Sequence, residues 1–253
     1  MKAIILTSQR SGSTFMQGCL DAHPQVKCYG ELLVGGNLVA PRICHGYRLL
    51  TKGYRYLAAR AWDPVGIMNR YFAREEAPVV VFKAMYSHVD KRAARNYLSE
   101  HDEIRVIHLR RDNLLKQYVS KVLLGAKRER RWQPHTTHRI PVVSARVSPE
   151  RAIREMTKVR DYFLEFERLL SGHRKIEILY ERMFHGPSLS HEVWEAIGGL
   201  LEIEPAPVGS DLVKMNPNDL RPMVENYDEL ADALAGTEFA EYLDKQPGAR
   251  ANG

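Results

Sequence analysis

The chain has 253 residues, 44% of them hydrophobic, which is enough to bury the core of one sizeable domain. Its formal net charge of +6 and its pI near 9.2 favour a polyanionic partner, but the charge alone does not choose among a nucleotide, a nucleic acid and an acidic membrane surface. It shows no internal repeat, no linker-like or low-complexity stretch and no apolar run long enough to span a bilayer, so we expect a single domain over residues 1–253.

The N-terminus and the cysteines indicate a cellular compartment. The apolar run near Met1 is too short for a signal peptide and fits the first strand of the fold instead. The cysteines, Cys19, Cys28 and Cys44, are odd in number and lack the spacing of a metal site. We therefore expect a reducing, cytoplasmic location.

The residues from Ser8 to Gln17, S-Q-R-S-G-S-T-F-M-Q, are the most informative part of the chain. They follow a predicted buried strand at Ala3 to Leu6 and open a predicted helix from about Gly12 to Asp21. A tight Ser/Gly turn between a strand and a helix brings unpaired backbone N–H groups and the positive end of the helix dipole to one point, which suits a phosphate or a sulfate. The same residues also suit any tight turn, because glycine and serine permit the geometry and cap helices.

The loop differs from that of proteins that bind nucleoside triphosphates. Their pattern, G-x-x-x-x-G-K-[ST], supplies a lysine for the outer phosphates and a hydroxyl for magnesium. This loop lacks the first glycine and the lysine, and it carries Arg10 ahead of Ser11, Gly12, Ser13 and Thr14. The sequence also shows no acidic cluster that would hold magnesium, so we expect no metal to be needed.

Strand and helix signals alternate along the rest of the chain. After a turn at His23-Pro24 the patterns predict, in order, strands at Val26–Tyr29 and Pro78–Ala84, a helix at Lys91–Glu100, a strand at Glu103–Leu109, a helix at Asn113–Leu124, a helix that begins at Ser148-Pro149-Glu150, a strand at Ile176–Tyr180 and a helix near Ser190–Leu201. Two segments fall outside this alternation, a substrate-side insertion at about 32–76 and a basic loop at about 125–147. We therefore expect an α/β, P-loop-like three-layer fold with a central parallel sheet flanked by helices.

Ligands of such folds gather at the carboxyl ends of the strands. Four charged residues follow or close predicted strands, and we expect them near one crevice: Arg10, Glu31, Lys83 and Arg111. The pair Arg110-Arg111, with Ser120 on the next helix, suits a second phosphate. Paired arginines and a helical serine are also ordinary surface features, but this pair lies at the same edge of the sheet as the first loop.

Several further side chains are candidates for this crevice or for the core. Trp132, among the arginines of the basic loop, is a candidate to stack on a base as part of a lid, with packing in the core as the alternative that its polar neighbours disfavour. Lys83 and Lys214 are candidates for contact with a nucleotide or an acceptor, although Lys214 fits a solvated surface position equally. We expect structural roles for His23 and Trp194.

Longer motifs resemble one enzyme family. They are spread in order from Ser8 to about Leu243 and comprise the Ser8–Gln17 loop, His23-Pro24-x-Val26, Gly30-Glu31-Leu32-Leu33, the run from Arg110 to Ser120, Tyr180-Glu181-Arg182-Met183 and the tail from Leu220 to Gly236. Together they resemble the sulfotransferases that use 3′-phosphoadenosine 5′-phosphosulfate (PAPS), and among these the bacterial carbohydrate sulfotransferases of the nodulation-factor type. The chain departs from the usual pattern at one point, because Arg111 lies one residue farther from Ser120 than the arginine of that pattern does. Arg110 therefore stays an alternative to Arg111 as the phosphate-binding arginine.

The resemblance implies a reaction and a set of site residues. PAPS is then the co-substrate, 3′-phosphoadenosine 5′-phosphate (PAP) the product, and the acceptor a hydroxyl of a glycan or a small molecule. The residues implied to bind the 5′-phosphosulfate are Arg10, Ser11, Gly12, Ser13, Thr14 and Phe15, and Arg10 is also placed to stabilise charge on the transferring group. Arg111 or Arg110, with Ser120, is implied to bind the 3′-phosphate. Glu31 falls where related enzymes carry a catalytic carboxylate, and we rank it as general base ahead of His45 and His88.

Two other functions stay open on the sequence. The first is a P-loop-like kinase or another nucleotide phosphotransferase, against which the missing loop lysine counts. The second is a nucleic-acid-binding protein, suggested by the pI, but the basic residues are scattered and match no recognised binding motif. The identity of the acceptor and the oligomeric state do not follow from the sequence.

Overall fold

The computed structural model describes residues 1–33, 63–74, 76–129, 143–204, 206, 209–210, 212, 217 and 219–244. The residues singled out above that lie outside this part are Cys44, His45, Trp132 and Lys214. Most of the insertion and most of the basic loop also lie outside it, and the single-domain organisation stays a prediction.

Five parallel strands form the central sheet of the described structure. They are β1 (Lys2–Thr7), β2 (Val26–Glu31), β3 (Val79–Met85), β4 (Arg105–Arg110) and β5 (Lys175–Leu179), and their order across the sheet is β2-β3-β1-β4-β5. β1 lies in the middle and pairs with β3 and β4. The run Ala3, Ile4, Ile5, Leu6 is fully buried, as is typical of a strand covered by helices on both faces. The predicted α/β fold with a parallel central sheet is confirmed.

Helices cover both faces of this sheet. They are α1 (Ser13–Asp21), α2 (Pro64–Phe72), α3 (Tyr86–Val89), α4 (Arg92–Glu100), α5 (Leu114–Glu129), α6 (Pro149–Leu169), α7 (His191–Leu201), α8 (Tyr227–Ala235) and α9 (Glu241–Asp244). α1 and α7 pack on one face, and α2, α4 and α6 pack on the other. α5 forms a third apolar cluster with α6 and α8. A short antiparallel pair, β6 (Phe184–His185) and β7 (Ser188–Leu189), follows β5 and was not expected from the sequence.

Helix α5 is longer than the sequence pattern predicts. The pattern ends it at Leu124 and begins the basic loop at Gly125, whereas the helix continues to Glu129. A glycine inside a helix costs about 1 kcal/mol relative to alanine. Ala126, directly beyond the glycine, packs against the apolar cluster that α5 shares with α6, and this contact offsets the cost. The first residues of the predicted basic loop are therefore helical.

Local signals elsewhere agree with the structure. Helix α6 begins where expected, with the Ser148 hydroxyl accepting the Arg151 N–H at 3.3 Å and a proline in the first turn. Trp194 lies in the core at 5% exposure. His23 is also buried, and its Nε2 lies 2.9 Å from the carbonyl oxygen of Glu204. Within the described ranges, no helix is both long and apolar enough to cross a membrane.

Candidate anion-binding site

The loop between β1 and α1 has the backbone of an anion-binding turn. Arg10 and Gly12 both lie in the left-handed region, with φ of 67° and 83°. Turns that contain such residues direct successive N–H groups towards one point. Gly12 is the N-cap of α1, no side chain caps this end, and the first turn carries no acidic residue. The loop therefore presents backbone donors and the positive end of a helix dipole to the carboxyl edge of the sheet.

Hydroxyl groups fix the inner side of this loop. The Thr7 Oγ1 donates to the carbonyl oxygen of Leu109 on β4 at 2.6 Å, and it lies 2.5 Å from the Ser11 Oγ. Ser11 is fully buried and reaches the Ser8 carbonyl oxygen at 2.9 Å. The Ser11 side chain thus shapes the loop, and only its backbone can serve a ligand.

Gln117 of α5 fixes the outer side of the loop. Its Nε2 donates to the Ser8 Oγ and to the Gln9 carbonyl oxygen, each at 2.5 Å. The sequence did not single out this glutamine, because the contact joins residues that are 109 and 108 positions apart. The loop is therefore held by β4 on one side and by α5 on the other.

Tyr180 closes the loop from a third side and makes Gly12 obligatory. A Cβ added to Gly12 would lie 2.7 Å from the Tyr180 Cδ2 and 2.8 Å from the Met183 Cε. Burial raises the pKa of Tyr180, although the cations Arg111 and Arg10 nearby lower it. Tyr180 stands in the motif that carried the family resemblance, but the sequence assigned it no role.

Arg10, Arg111 and Ser120 come together from three elements. The Arg10 Nε donates to the Ser120 Oγ on α5 at 3.1 Å. Arg111, directly after β4, donates from its Nη1 to the Arg10 carbonyl oxygen at 3.4 Å and stacks on Tyr180 with its Cζ 4.5 Å from the ring centre. Burial lowers the pKa of Arg111, while Tyr180 and Glu181 raise it. These contacts join the two arginines and Ser120 into one group at the edge of the loop.

Arg110 points away from this group. It is paired with Glu177 of β5, lies 3.6 Å from Asp112, and places its Cζ 5.1 Å from the ring centre of Phe163 on α6. Successive residues of a strand face opposite sides of a sheet, which explains why the neighbours Arg110 and Arg111 diverge. Only Arg111 of the two contacts the loop.

Lys116 adds positive charge that the sequence did not indicate. It lies one helical turn before Ser120 on α5, so both residues share a face of the helix. Burial lowers the pKa of Lys116, and the positive charge of Arg111 lowers it further, while Glu181 and Asp219 raise it. Arg111 and Lys116 repel each other, and an anion with more than one negative charge would offset this repulsion. The pair therefore favours a multiply charged ligand.

A second group joins Thr14, Lys83 and Glu31 at the same edge. Lys83 interrupts the apolar run of β3, its side chain is 1% exposed, and its Nζ donates to the Thr14 Oγ1 at 3.2 Å. The same Nζ lies 3.2 Å from the Glu31 Oε1 at the end of β2, where the pairing with β3 shifts in register. The Glu31 side chain is 22% exposed and accessible from outside. The four charged residues expected near one crevice thus lie around one loop.

Two of the remaining candidates contribute less. The buried Phe15 ring packs against the exposed Phe184 ring with ring centres 4.8 Å apart, and the Phe15 N–H donates to the Gly12 carbonyl oxygen at 3.0 Å. Phe15 therefore offers no group to the crevice. His88 lies on α3 beyond the end of β3, and its Nδ1 accepts the N–H of Met85 at 3.4 Å. Within the described ranges, no group of three or more His, Cys, Asp or Glu side chains is placed to hold a metal ion.

Comparison with known proteins finds solved structures similar to this chain, two of which are described here. No protein-family model matches the chain, and no curated protein is significantly similar to it in sequence. A sulfotransferase from Alicyclobacillus acidocaldarius is 14% identical, with a TM-score of 0.49 over 96% of this chain and 95% of that one. A sulfotransferase domain from the curacin biosynthetic pathway is 16% identical, with a TM-score of 0.48 over 96% of this chain and 83% of that one. With identities of 14% and 16% and TM-scores of 0.49 and 0.48, neither structure identifies the reaction of this chain.

Proposed function

We propose that the chain is a sulfotransferase that moves the sulfuryl group of PAPS to an acceptor hydroxyl and releases PAP. The proposal rests on one observation: the anion-binding loop adjoins a second cationic group. Arg10 of the loop contacts Ser120, and Arg111 contacts Arg10. Two adjacent anion sites suit a nucleotide that carries acidic groups on both its 5′ and 3′ positions.

Each site has its own set of residues. For the 5′-phosphosulfate, we assign the loop amides from Ser11 to Thr14, together with the Arg10 guanidinium and the Thr14 hydroxyl. For the 3′-phosphate, we assign Arg111, Ser120 and Lys116, because charge-assisted hydrogen bonds bind phosphate strongly. Arg110 is left out because Glu177 and Asp112 already neutralise it. Trp132 stays a candidate for contact with the adenine.

The chemistry requires positive charge where negative charge develops. The acceptor oxygen forms a bond to sulfur while the bond from sulfur to the phosphate oxygen breaks, and that oxygen leaves with PAP. Fixed cations and N–H donors lower the barrier of such a step because they need no reorganisation. We assign this role to Arg10 and to the buried Lys83, whose Nζ donates to Thr14 and pairs with Glu31.

The acceptor hydroxyl must also lose a proton, and we assign this role to Glu31. Its carboxylate is partly exposed at the edge of the sheet and adjoins Lys83, so a hydroxyl that approaches the loop can reach it. The alternatives are His88 and His45. The acceptor is a hydroxyl compound, with a glycan suggested only by the family resemblance and a phenol or lipid equally compatible with the site.

A matched pair of variants tests the donor site. Arg111→Ala removes the arginine at the loop, and Arg110→Ala removes its neighbour on the opposite side. Loss of a charge-assisted hydrogen bond costs about 1.5–3 kcal/mol, so Arg111→Ala should weaken PAP by roughly 10- to 100-fold. Adenosine 5′-phosphosulfate, which lacks the 3′-phosphate, should bind Arg111→Ala nearly as well as wild type. Arg110→Ala should leave both ligands unchanged in titration calorimetry.

Other results would point elsewhere. Equal losses of both ligands in Arg111→Ala would mean a general charge effect, and a loss of PAP binding in Arg110→Ala alone would exchange the roles of the two arginines. Wild-type protein that binds ATP with Mg²⁺ but not PAP would favour a kinase. Transfer itself is tested by incubation with PAPS and a pool of sugars, phenols and fatty alcohols, followed by a mass-spectrometric search for a sulfated product.

A further inference from the structure

Glu181 lies beside the 3′-phosphate group and has no role in the scheme above. It belongs to a short 3₁₀ turn, Tyr180–Arg182, that follows β5. Its Oε2 accepts the N–H of Asp112 at 2.9 Å, and its Oε1 accepts the N–H of Asn113 at 3.4 Å. These are the last two residues before α5, so the carboxylate lies at the positive end of that helix.

The same carboxylate adjoins Arg111. The Glu181 Oε1 lies 3.7 Å from the Arg111 Nε, and this Nε has no hydrogen-bond partner in the described part of the chain. One face of the guanidinium rests on Tyr180, and Nη1 donates to the Arg10 carbonyl oxygen. Nη1 and one face of the plane thus contact described residues and Glu181 lies on the Nε side, so we expect Nη2 to meet the ligand.

This arrangement decides which group can bind the phosphate. Because Glu181 already engages the N–H groups of Asp112 and Asn113, the start of α5 is closed to a second anion. The anion must then be bound by the Arg111 side chain, which is 12% exposed and carries a charge that burial disfavours. A carboxylate at 3.7 Å offsets that cost and limits the positions the guanidinium can adopt.

We propose that Glu181 is a positioning residue for the donor: it holds Arg111 in the orientation that binds the 3′-phosphate and thereby sets the preference for nucleotides with a phosphate at that position. The inference rests on the proposed function. It also gives a role to the glutamate of the Tyr180-Glu181-Arg182-Met183 motif, which the assignment of donor and acceptor residues leaves unused.

The chain contains a matched control. Glu177 of β5 pairs with Arg110 just as Glu181 adjoins Arg111, and the two ion pairs lie at the same edge of the sheet. The Glu177 pair lies on the α6 side of the sheet, where the Arg110 Cζ is 5.1 Å from the ring centre of Phe163, and Arg110 makes none of the Arg111 contacts to Arg10 and Tyr180. Replacing either carboxylate by an amide changes the same charge at nearly the same place, but only Glu181→Gln should alter donor binding.

The experiment compares PAP with adenosine 5′-monophosphate (AMP), which lacks the 3′-phosphate, by titration calorimetry. In Glu181→Gln we expect PAP to bind about tenfold more weakly, the usual size of coupling within one ion-pair network, and AMP to bind as in wild type. Glu177→Gln should leave both affinities unchanged, and Glu181→Asp should recover part of the PAP affinity. In an Arg111→Ala background, Glu181→Gln should cause no further loss, because Glu181 acts through Arg111.

Each alternative result has a distinct meaning. Wild-type protein that does not prefer PAP over AMP would overturn the proposed donor, whatever the variants do. A wild-type preference that persists in Glu181→Gln, or PAP affinity that rises because a negative charge has been removed, would overturn the role of Glu181 and leave the proposed function intact. Equal losses of PAP and AMP would show that Glu181 only supports the fold, and a further loss in the Arg111→Ala background would show that it does not act through Arg111.

Discussion

The pair of Glu31 and Lys83 offers the sharpest separation of roles in the proposed mechanism. Glu31→Gln removes the proposed base but keeps an oxygen that can accept from the Lys83 Nζ, which lies 3.2 Å from the present carboxylate. Lys83→Met removes the cation and keeps a linear side chain of similar size at a position that is 1% exposed. The two substitutions therefore disturb the packing little while each removes one charge.

The expected sizes follow from the burial of the two side chains. Breaking a fully buried ion pair costs about 3–5 kcal/mol, but Glu31 is 22% exposed and glutamine keeps the hydrogen bond, so we expect Glu31→Gln to lower the free energy of unfolding by only about 1–2 kcal/mol. Turnover should fall by roughly two to four orders of magnitude, the usual contribution of a general base, with PAP affinity nearly unchanged. Lys83→Met should lower both PAP affinity and turnover, because Lys83 contacts the loop through Thr14.

Three measurements check these values: urea denaturation for stability, titration calorimetry for PAP, and PAP release from PAPS with an acceptor found in the pooled screen. Near-normal turnover in Glu31→Gln would refute Glu31 as the base and move that role to His88 or His45, with a pH profile that then reports a histidine near its usual value of about 6.5. PAP affinity that falls as far in Glu31→Gln as in Lys83→Met would show that Glu31 only orients the lysine.

Three further predictions concern the loop and the core. Gly12→Ala should abolish PAP binding and lower the melting temperature, because φ is +83° and Tyr180 leaves no room for a Cβ. Burial lowers the pKa of His108 below its usual 6.5, although hydrogen bonding to Glu167 opposes this shift. As the pH drops below 6.5 the unfolded chain therefore takes up the proton before the folded chain does, and the free energy of unfolding should fall. His108→Gln should flatten this pH dependence in urea titrations. Asn226→Ala should cost about 2–4 kcal/mol in the same assay, since its side chain bonds both the N–H and the carbonyl oxygen of Val147.

The fold could be predicted from local patterns where those patterns are strong. The apolar runs at Ala3–Leu6 and Pro78–Ala84 indicate buried strands, and Ser148 with its following proline marks the start of α6. The end of α5 could not be predicted, because the packing of Ala126 on the cluster shared with α6 is a tertiary contact that overrides the glycine at 125. β6 and β7, with two residues each, are too short to produce a periodic signal.

The convergence of four charged side chains could be predicted from the sequence, but the contacts they make could not. The alternation of strands and helices is enough to bring Arg10, Glu31, Lys83 and Arg111 to one edge. It does not show that Lys83 is buried between Glu31 and Thr14, nor that Arg110 and Arg111 face opposite sides. Gln117, Lys116 and Glu181 were missed because helical and turn residues of these types are common on surfaces. These residues reach the site only through tertiary contacts. Glu181, for example, accepts the N–H of Asp112, which is 69 positions away in the sequence.

Titration of the wild-type protein with PAP in the presence of EDTA asks whether the chain binds this nucleotide without a metal ion. We expect binding at one site, competition by PAPS, and stabilisation of about 2.7 kcal/mol at a hundredfold excess of PAP over its dissociation constant. AMP should bind more weakly, and ATP should not replace PAP when Mg²⁺ is supplied. A protein that shows no heat and no thermal shift with PAP, or one whose response to PAP disappears with EDTA, would contradict this expectation.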